Sequence, residues 1–461
     1  IFGVNELAPF IINILLASIT IILAYFLLQR YKIPSFFILI SLTSIIFLTS
    51  LPSLIFIGME HIFHIILTIY FVYKSIDQLS NENSDYPPFQ LLIVSFLLTM
   101  TRYEGIFLII VVSMLFTFKK RYFFAIILLS CGILPILGYG FISILNGGYL
   151  LPNSIIMKKK ELIRSLLNTN HDFFYSLLKT PNSFPLIFIT FIAYISILSL
   201  IAYFFDFNFL WKESRLINVI YISCTILHIL FASIGWFYRY EAYLIALGIF
   251  LITIQISKYC PELFYKKYDD YLALTTYRNF KSKYFILICL LFLILIPMSI
   301  RGYLAVAETP QATKDIYQQQ YQMALFVKQY YEGKGIIMND IGAVTYFNDI
   351  VCLDLWGLAS IEIVEITLNS NSDRETVKTL IREKNITIAI VYSFFLGYFP
   401  SSWINVGQWT ISDTVIVAWA SVLFLASNTE ESRSLIENLR EFSSRLPDDV
   451  VESGLYTIID S

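Results

Sequence analysis

Residues Pro9–Leu28 read PFIINILLASITIILAYFLL, a stretch without a single charge. A helix of about twenty residues rises roughly 30 Å, the thickness of a bilayer's hydrocarbon core. The polar groups within it, Asn13, Ser18, Thr20 and Tyr25, are too few to make a solvated helix face. The pattern recurs outward along the chain. Long apolar runs occupy 36–57, 122–145, 185–205, 216–236 and 284–300, and shorter ones 61–73, 89–101, 106–118 and 242–256. Together these predict ten segments. Four are too short to cross alone, and short membrane helices persist only where protein or a water-filled cavity shelters their backbone.

Composition points the same way. Of 461 residues, 57% are hydrophobic and 14% charged, with 40 Phe and 31 Tyr, and the mean hydropathy is +0.69. Soluble domains carry about 25% charged residues. The deficit excludes a soluble globular enzyme, a disordered chain and a nucleic-acid binder. The charges are also unevenly spread. Residues 1–300 hold 21 Lys+Arg against 14 Asp+Glu, whereas 301–461 hold 11 against 20. Two domains are therefore expected: a helical membrane domain over 1–300 and an acidic C-terminal domain over 301–461.

Orientation follows from the basic residues. With residue 1 outside and ten crossings, 14 of the 21 basic residues of 1–300 fall in inner loops, among them Lys119, Lys120 and Arg121. That asymmetry obeys the positive-inside rule and sets the C-terminal domain outside a cytoplasmic membrane. No basic region with a small-residue cleavage site precedes the first apolar run, so no signal peptide is read. The five cysteines show no metal or disulfide spacing. No internal repeat of the transporter kind is visible.

The C-terminal part alternates strand-like and helix-like patterns. Helices are expected at 311–331, 374–384 and 430–445, and strands at 335–340, 350–355, 386–392, 405–411 and 415–426. Strands alternating with helices predict a mostly parallel sheet. The part contains no Gly-x-Gly-x-x-Gly and no Walker loop, so no nucleotide site is read.

Ionisable residues at membrane depth are costly and carry functional hypotheses. Four clusters fall on the expected outer side. The first is Glu60-His61 with His64 one turn on. Its spacing is not the His-Glu-x-x-His zinc pattern, and no metal is assigned. The second is Arg102-Tyr103-Glu104, whose guanidinium suits a phosphate or pairs with Glu60 or Glu104 simply to fix helices. The third is the loop Pro152-Asn153-Ser154 leading to Lys158, Lys159 and Lys160, basic residues that run against the positive-inside trend and attract lipid phosphate, or merely form a solvated turn. The fourth is Trp236–Glu241, where Arg239, Tyr240 and Glu241 suit a sugar phosphate or form an aromatic belt with an anchor. Carboxylates and cations on one face fit glycosyl transfer. A base is needed for the acceptor hydroxyl and cations for the departing phosphate.

The order Gly58-Met59-Glu60, Arg102-Tyr103-Glu104-Gly105 and Pro152-Asn153-Ser154 with Lys158 resembles polytopic membrane glycosyltransferases of the GT-C superfamily, nearest the group containing the bacterial terminal arabinofuranosyltransferases. Asp340–Tyr346 followed by Asp354-Leu-Trp-Gly-Leu358 is similar to the extracytoplasmic domain of such proteins. The family's second motif has Pro where this chain has Tyr103. The resemblance implies a polytopic α-helical membrane protein with a C-terminal extracytoplasmic α/β domain, integral to a bacterial inner membrane. It also implies a polyprenyl-phosphate sugar donor and a glycan, lipid or protein acceptor in the cell envelope. Arg102, Lys158 and Arg239 would then hold the donor phosphate, with His61, Tyr103, Glu104, Asn153, Tyr240 and Glu241 at the substrates. Glu60 is the catalytic candidate, and the family's main acidic residues are expected upstream of Ile1. Metal dependence varies in the superfamily, so the cofactor stays open. The alternative is a non-catalytic membrane protein that binds or transports lipid-linked glycans.

Overall fold

The computed structural model describes residues 4–80, 86–157, 213–232, 235–259, 274–370 and 374–458. They divide into two compact units. One is drawn from Glu6–Gly138 and Phe173–Ala307, the other from Ile1–Asn5, Tyr139–Asp172 and Glu308–Ser461. The expected boundary at 300/301 therefore falls inside a helix, since Leu274–Ile316 is continuous.

The helical unit contains α1 (Ala8–Arg30), α2 (Ser35–Leu48), α3 (Leu51–Ile57), α4 (His61–Ser80), α5 (Phe89–Thr101) and α6 (Gly105–Phe118). It continues through α7 (Tyr122–Leu145), α8 (Glu213–Phe231), α9 (Ala242–Tyr259) and α10 (Leu274–Ile316). Nine of the ten expected segments hold helix, and 185–205 lies outside the described residues. Among the described residues three helices, α1, α4 and α7, are long and apolar enough to cross a membrane, or four if the bent pair α2–α3 counts as one span. The shorter α5 and α6 pack on each other instead of forming one long rod. A Cβ on Gly105 would lie 2.6 Å from the Leu98 carbonyl oxygen, so glycine permits that close turn.

Helix α4 is the centre of this unit, with 13 of its residues buried. Helix α1 is patterned the other way. Asn13, Ala17, Thr20 and Ala24 are buried, whereas Ile11, Leu15, Ile19, Ile22 and Phe26 are exposed. Both sets recur at helical spacing. Before Leu27 and Leu28, which are buried at its end, small and polar side chains lie inside and large apolar ones outside, the inverse of a water-soluble helix and a match to helix packing in lipid.

The second unit is an α/β domain. A helical stretch closes with a π-helix, Tyr317–Tyr321, and α11 (Gln322–Tyr330). Then come β1 (Gly335–Met338), α12 (Gly342–Phe347), β2 (Val351–Asp354), α13 (Ile361–Ser370), α14 (Arg374–Glu383) and β3 (Ile388–Tyr392). Strands β4 (Ile404–Thr410) and β5 (Ser421–Ala426), α15 (Thr429–Ser443) and β6 (Val451–Gly454) complete it. The sheet order is β2-β1-β3-β5-β4-β6. Strands β2, β1 and β3 are parallel, but the pairs β3–β5, β5–β4 and β4–β6 are antiparallel. The sheet is therefore mixed, not mostly parallel. The short link between β4 and β5 allows a hairpin, whereas a parallel pair needs a crossover of a dozen or more residues.

Side chains of a strand alternate between faces, and two cores result. Ile336, Met338, Ile388 and Ile390 join Phe326, Val344, Trp409, Leu435 and Phe442 on one face. Ile337, Ala389 and Val391 join Ile363, Val377, Ile381 and Phe395 on the other. The buried Asp354 carboxylate accepts from the backbone N–H of Trp356 at 2.9 Å and of Ala359 at 3.0 Å, fixing the loop after β2. Burial pushes this carboxyl above the ordinary aspartate range, partly offset by those backbone N–H groups.

Candidate functional site

Three of the four sequence clusters meet in the helical unit. Gly58 ends α3 with a left-handed φ of +71°, which turns the chain into α4. Glu60 caps that helix through its carbonyl, which accepts from His64 N. Arg102 sits in the break between α5 and α6, in extended conformation. Its Nη1 donates to Glu60 Oε1 at 2.7 Å, and its Nη2 to Glu104 Oε1 at 2.9 Å. His61 Nε2 lies 3.0 Å from the same Nη1. One guanidinium thus bridges two carboxylates and an imidazole. Its Nε is buried without a hydrogen-bond partner.

Tyr240 covers this cluster. Its ring lies 5.4 Å from the Arg102 guanidinium and 5.1 Å from that of Arg239. Two cations flanking one aromatic ring are favourable for the ring and unfavourable for each other. Among the described residues Arg239 is held by weak contacts, Nη1 to Met59 Sδ at 3.1 Å and Nη2 to Tyr240 OH at 3.4 Å. Among the described residues no carboxylate lies within ion-pair distance of Arg239, and its Nε is buried without a partner. Of the two carboxylates on Arg102, Glu60 is the more open, with 37% of its side chain exposed. Tyr103 is half-buried beside them.

Deeper in the unit, the His64 and Tyr243 rings lie 4.5 Å apart. His228 Nδ1 is 3.1 Å from Tyr243 OH. The carboxylates and imidazole nearest the surface are already gathered on Arg102. Among the described residues no group of three or more His, Cys, Asp or Glu is placed to hold a metal ion.

Glu241 stands apart from this cluster. It is buried, with Oε1 receiving Arg301 Nη2 at 3.0 Å and Oε2 receiving the Gly235 N–H at 3.0 Å. Arg301 also donates to the carbonyls of Tyr238 at 2.6 Å and Leu48 at 3.0 Å. Between these anchors, Trp236, Phe237 and Tyr238 all have left-handed φ values, +43°, +54° and +61°. Each such residue costs on the order of 1–3 kcal/mol and persists only where its surroundings overdetermine it. The Glu241–Arg301 pair supplies that constraint and so sets where Arg239 and Tyr240 stand. Arg301 was missed in the sequence, where it reads as the first residue of the acidic part. Its signal was a lone charge directly abutting an apolar run.

The third cluster divides. Asn153 lies in the other unit, where its Nδ2 donates to Leu358 O at 3.4 Å. Lys158 lies outside the described residues.

Residues 314–429 match a family model described as Domain of unknown function (DUF8728). No curated protein matches the chain, and no solved structure matches it.

Proposed function

We propose that the protein is a membrane glycosyltransferase that moves a sugar from a polyprenyl-phosphate donor to a glycan, lipid or protein acceptor at the outer face of the membrane. The observation that carries this reading is the Tyr240 ring between two guanidiniums, that of Arg102, which holds the partly open carboxylate Glu60, and that of Arg239, which among the described residues has no carboxylate within ion-pair distance. Arg239 has donors to spare for a phosphate oxygen, and its aromatic neighbour suits a sugar face. In transfer, the acceptor hydroxyl attacks the anomeric carbon as its proton passes to Glu60. The bond from that carbon to the phosphate oxygen breaks, and its electron pair leaves on polyprenyl phosphate beside Arg239. Arg102 keeps Glu60 and Glu104 oriented, with His61, Tyr103 and Tyr240 lining the sugar. Lys158 and Asn153, expected at the donor and substrate, take no part in this step, since Asn153 belongs to the other unit and Lys158 lies outside the described residues. Glu241 then acts through Arg301 as a positioning residue.

The inverted pattern of α1 supports membrane insertion, and its outward apolar stripe is larger than an isolated surface residue requires. Ten crossings and an external α/β domain are the arrangement we favour. Cysteine at the exposed Ser444, in a chain stripped of its own cysteines, should react with an impermeant thiol reagent on intact cells. Labelling only after lysis would reverse the orientation.

The transfer itself is tested with protein reconstituted in liposomes and given polyprenyl-phosphoryl pentoses and hexoses. Arg239→Met should lower transfer by about 10²–10³-fold, the usual cost of losing one transition-state donor. Absence of both donor binding and transfer in the unaltered protein would sink the proposal. Donor binding without transfer to any acceptor would favour the non-catalytic alternative.

A further inference from the structure

Helix α4 opens at the Arg102 cluster, where His61 is its first residue, and ends in different chemistry. Its 20 residues rise roughly 30 Å, so the two ends stand a hydrocarbon core apart. At the far end the termini of α1, α4, α5, α6 and α7 meet. Arg30, the last residue of α1, lies over the Tyr73 ring of α4 at 5.3 Å. Beyond α6, Lys119 Nζ donates to Leu79 O at 2.6 Å and Arg121 Nη1 to Gln78 O at 2.7 Å, closing the end of α4. Gln90, at the start of α5, accepts from Tyr70 OH at 3.2 Å. The rings of Tyr86, before α5, and Phe123, at the start of α7, lie 5.2 Å apart.

Charge at this end is one-sided. Residues 25–37, 70–80, 86–92 and 116–125 hold six basic residues, Arg30, Lys32, Lys74, Lys119, Lys120 and Arg121, against one acid, Asp77. Lys119 and Arg121 serve the α4 carbonyls. Among the described residues no carboxylate lies within ion-pair distance of Arg30, Lys32, Lys74 or Lys120. Arg30 and Lys74 share a ring, since Lys74 Nζ lies 5.9 Å from the Tyr73 centroid. Two cations held at one ring repel each other, and an anion beside them offsets the repulsion.

Two of the cations sit in strained backbone. Helices α1 and α6 close with the same motif. Lys32 N donates to Gln29 O at 2.8 Å and Ile33 N to Leu28 O at 3.3 Å, while Lys120 N donates to Thr117 O and Arg121 N to Phe116 O, each at 2.9 Å. The first donor of each pair is left-handed, Lys32 at φ +56° and Lys120 at φ +61°. Glycine ordinarily takes that place, because it has no Cβ to clash. The helix dipole does not explain the choice. Arg30 and Lys119 already supply a cation within two residues, in unstrained backbone. Both strained lysines are exposed, which points to a partner outside the chain.

Aromatic residues set the depth. Phe118 is 82% exposed and Phe89 75%, with Tyr86, Tyr122 and Phe123 also exposed. Rings of this kind gather at the level of lipid headgroups, where the phosphates are.

We propose that this end of the helical unit binds anionic phospholipid headgroups, with Arg30 and Lys74 flanking one phosphate and Lys32 and Lys120 taking its neighbours. The inference rests on membrane insertion of the helical unit and not on the transferase reading, since no sugar donor or acceptor enters it.

The whole protein in a neutral detergent is titrated with dioleoyl-phosphatidylglycerol or dioleoyl-phosphatidylcholine, and bound lipid is counted by native mass spectrometry. The anionic lipid should bind about tenfold more tightly. Arg30→Gln with Lys74→Gln should remove most of that preference, and Lys74→Arg should keep it. Lys32→Gly with Lys120→Gly should lower the preference about threefold and raise Tm, the reverse of losing a structural residue. Arg382→Gln, at an exposed cation of the α/β unit, should change neither. Hydrogen exchange in α4 checks folding, and if the glutamine pair loses protection there the glycine pair carries the test. Equal affinity for the two lipids, or full preference in the glycine pair, would overturn the proposal. So would a lower Tm in the glycine pair, which would assign the lysines to the fold. Displacement of the lipid by inorganic phosphate at equal concentration would do the same, by showing a site for the free ion.

Discussion

The helical and α/β units treat polarity in opposite ways. In the helical unit charged side chains are scarce, and several pair with one another: Glu60, Arg102 and Glu104 in one half-buried group, Glu241 and Arg301 in a buried one that also takes up backbone groups at Gly235, Tyr238 and Leu48. In the α/β unit many charges lie at the surface, and the buried polar side chains bind backbone. Asp354, Asn339, Gln319 and Asp315 each receive or donate a main-chain hydrogen bond. The difference follows from what surrounds each fold. Helices satisfy their own backbone, so a buried charge between apolar helices is left with another side chain, a helix end or a turn. Mixed α/β loops leave main-chain groups open, and a short polar side chain closes them.

The sharpest way to break this comparison is Arg301→Met. It removes the donor for Glu241, for Tyr238 O and for Leu48 O at once, and leaves a buried carboxylate without its cation. Breaking a buried pair by deleting one partner costs about 3–5 kcal/mol. Hydrogen exchange read by mass spectrometry should show the loss in the helical unit, with α9 exchanging faster and β3 unchanged. The double change Glu241→Leu with Arg301→Met should recover much of that cost, because apolar replacement of a whole buried pair is often neutral. A double variant as unstable as the single one would show that Arg301 acts through the Tyr238 and Leu48 carbonyls instead.

The corresponding break in the α/β unit is Asp354→Asn. An amide can accept one of the two backbone N–H bonds but presents its own N–H group to the other. The expected loss is about 1–3 kcal/mol, that of one buried unsatisfied donor. A pH signature accompanies it. The folded carboxyl is raised by burial, so its contribution is fully present below the unfolded value of about 3.9 and is lost as pH rises through the raised folded value. The unaltered α/β unit should therefore lose stability across that acidic window, and Asp354→Asn should flatten this component. Urea unfolding followed by exchange in β3, at several pH values, measures both. A slope unchanged by the substitution would assign it to another group.

Much of this organisation was legible in the sequence, for reasons that differ between the units. Apolar runs locate helices because a helix needs only its own residues. Nine expected segments hold helix, and the break at Arg102–Glu104 followed from charges interrupting two short runs. The strands at 335–338, 351–354 and 388–392 were visible as β-branched runs between helix patterns. Direction was not visible: β5 lies antiparallel to β3 because of pairing across the sheet, which no local pattern encodes. Apolarity over 13–14 residues in α5 and α6 signals burial as well as insertion, so these runs locate the helices without fixing which of them cross. Within the candidate site, Glu60, Arg102 and Arg239 announced themselves as charges beside apolar runs. Arg301 carried the same signal, but its partner Glu241 is 60 positions away and reads as part of the Arg239 motif, so the pair was not legible.

The smallest effect expected is at helix ends, where the comparison becomes finest. Helix α15 begins at Asn428, whose Oδ1 accepts from Glu431 N at 2.9 Å. The starts of α1, α2, α3, α5 and α6 have no side-chain cap. Several of them use proline there instead: Pro9, Pro34, Pro52 and Pro88 stand at or just before the first turn. Proline fixes φ for the helix and lacks the N–H that would otherwise need a partner. A cap exchanges one protein–water hydrogen bond for one within the chain, so it stabilises modestly. Asn428→Ala should cost about 1 kcal/mol, and Asn428→Asp should retain the cap and cost almost nothing. The loss should appear as faster exchange in the first turn of α15, with α4 and α9 unaffected. If alanine at 428 left that turn as protected as before, the packing of Leu435, Leu439 and Phe442 on the sheet would be holding the helix start. The α/β unit would then be anchoring its helices by burial alone, as the helical unit does.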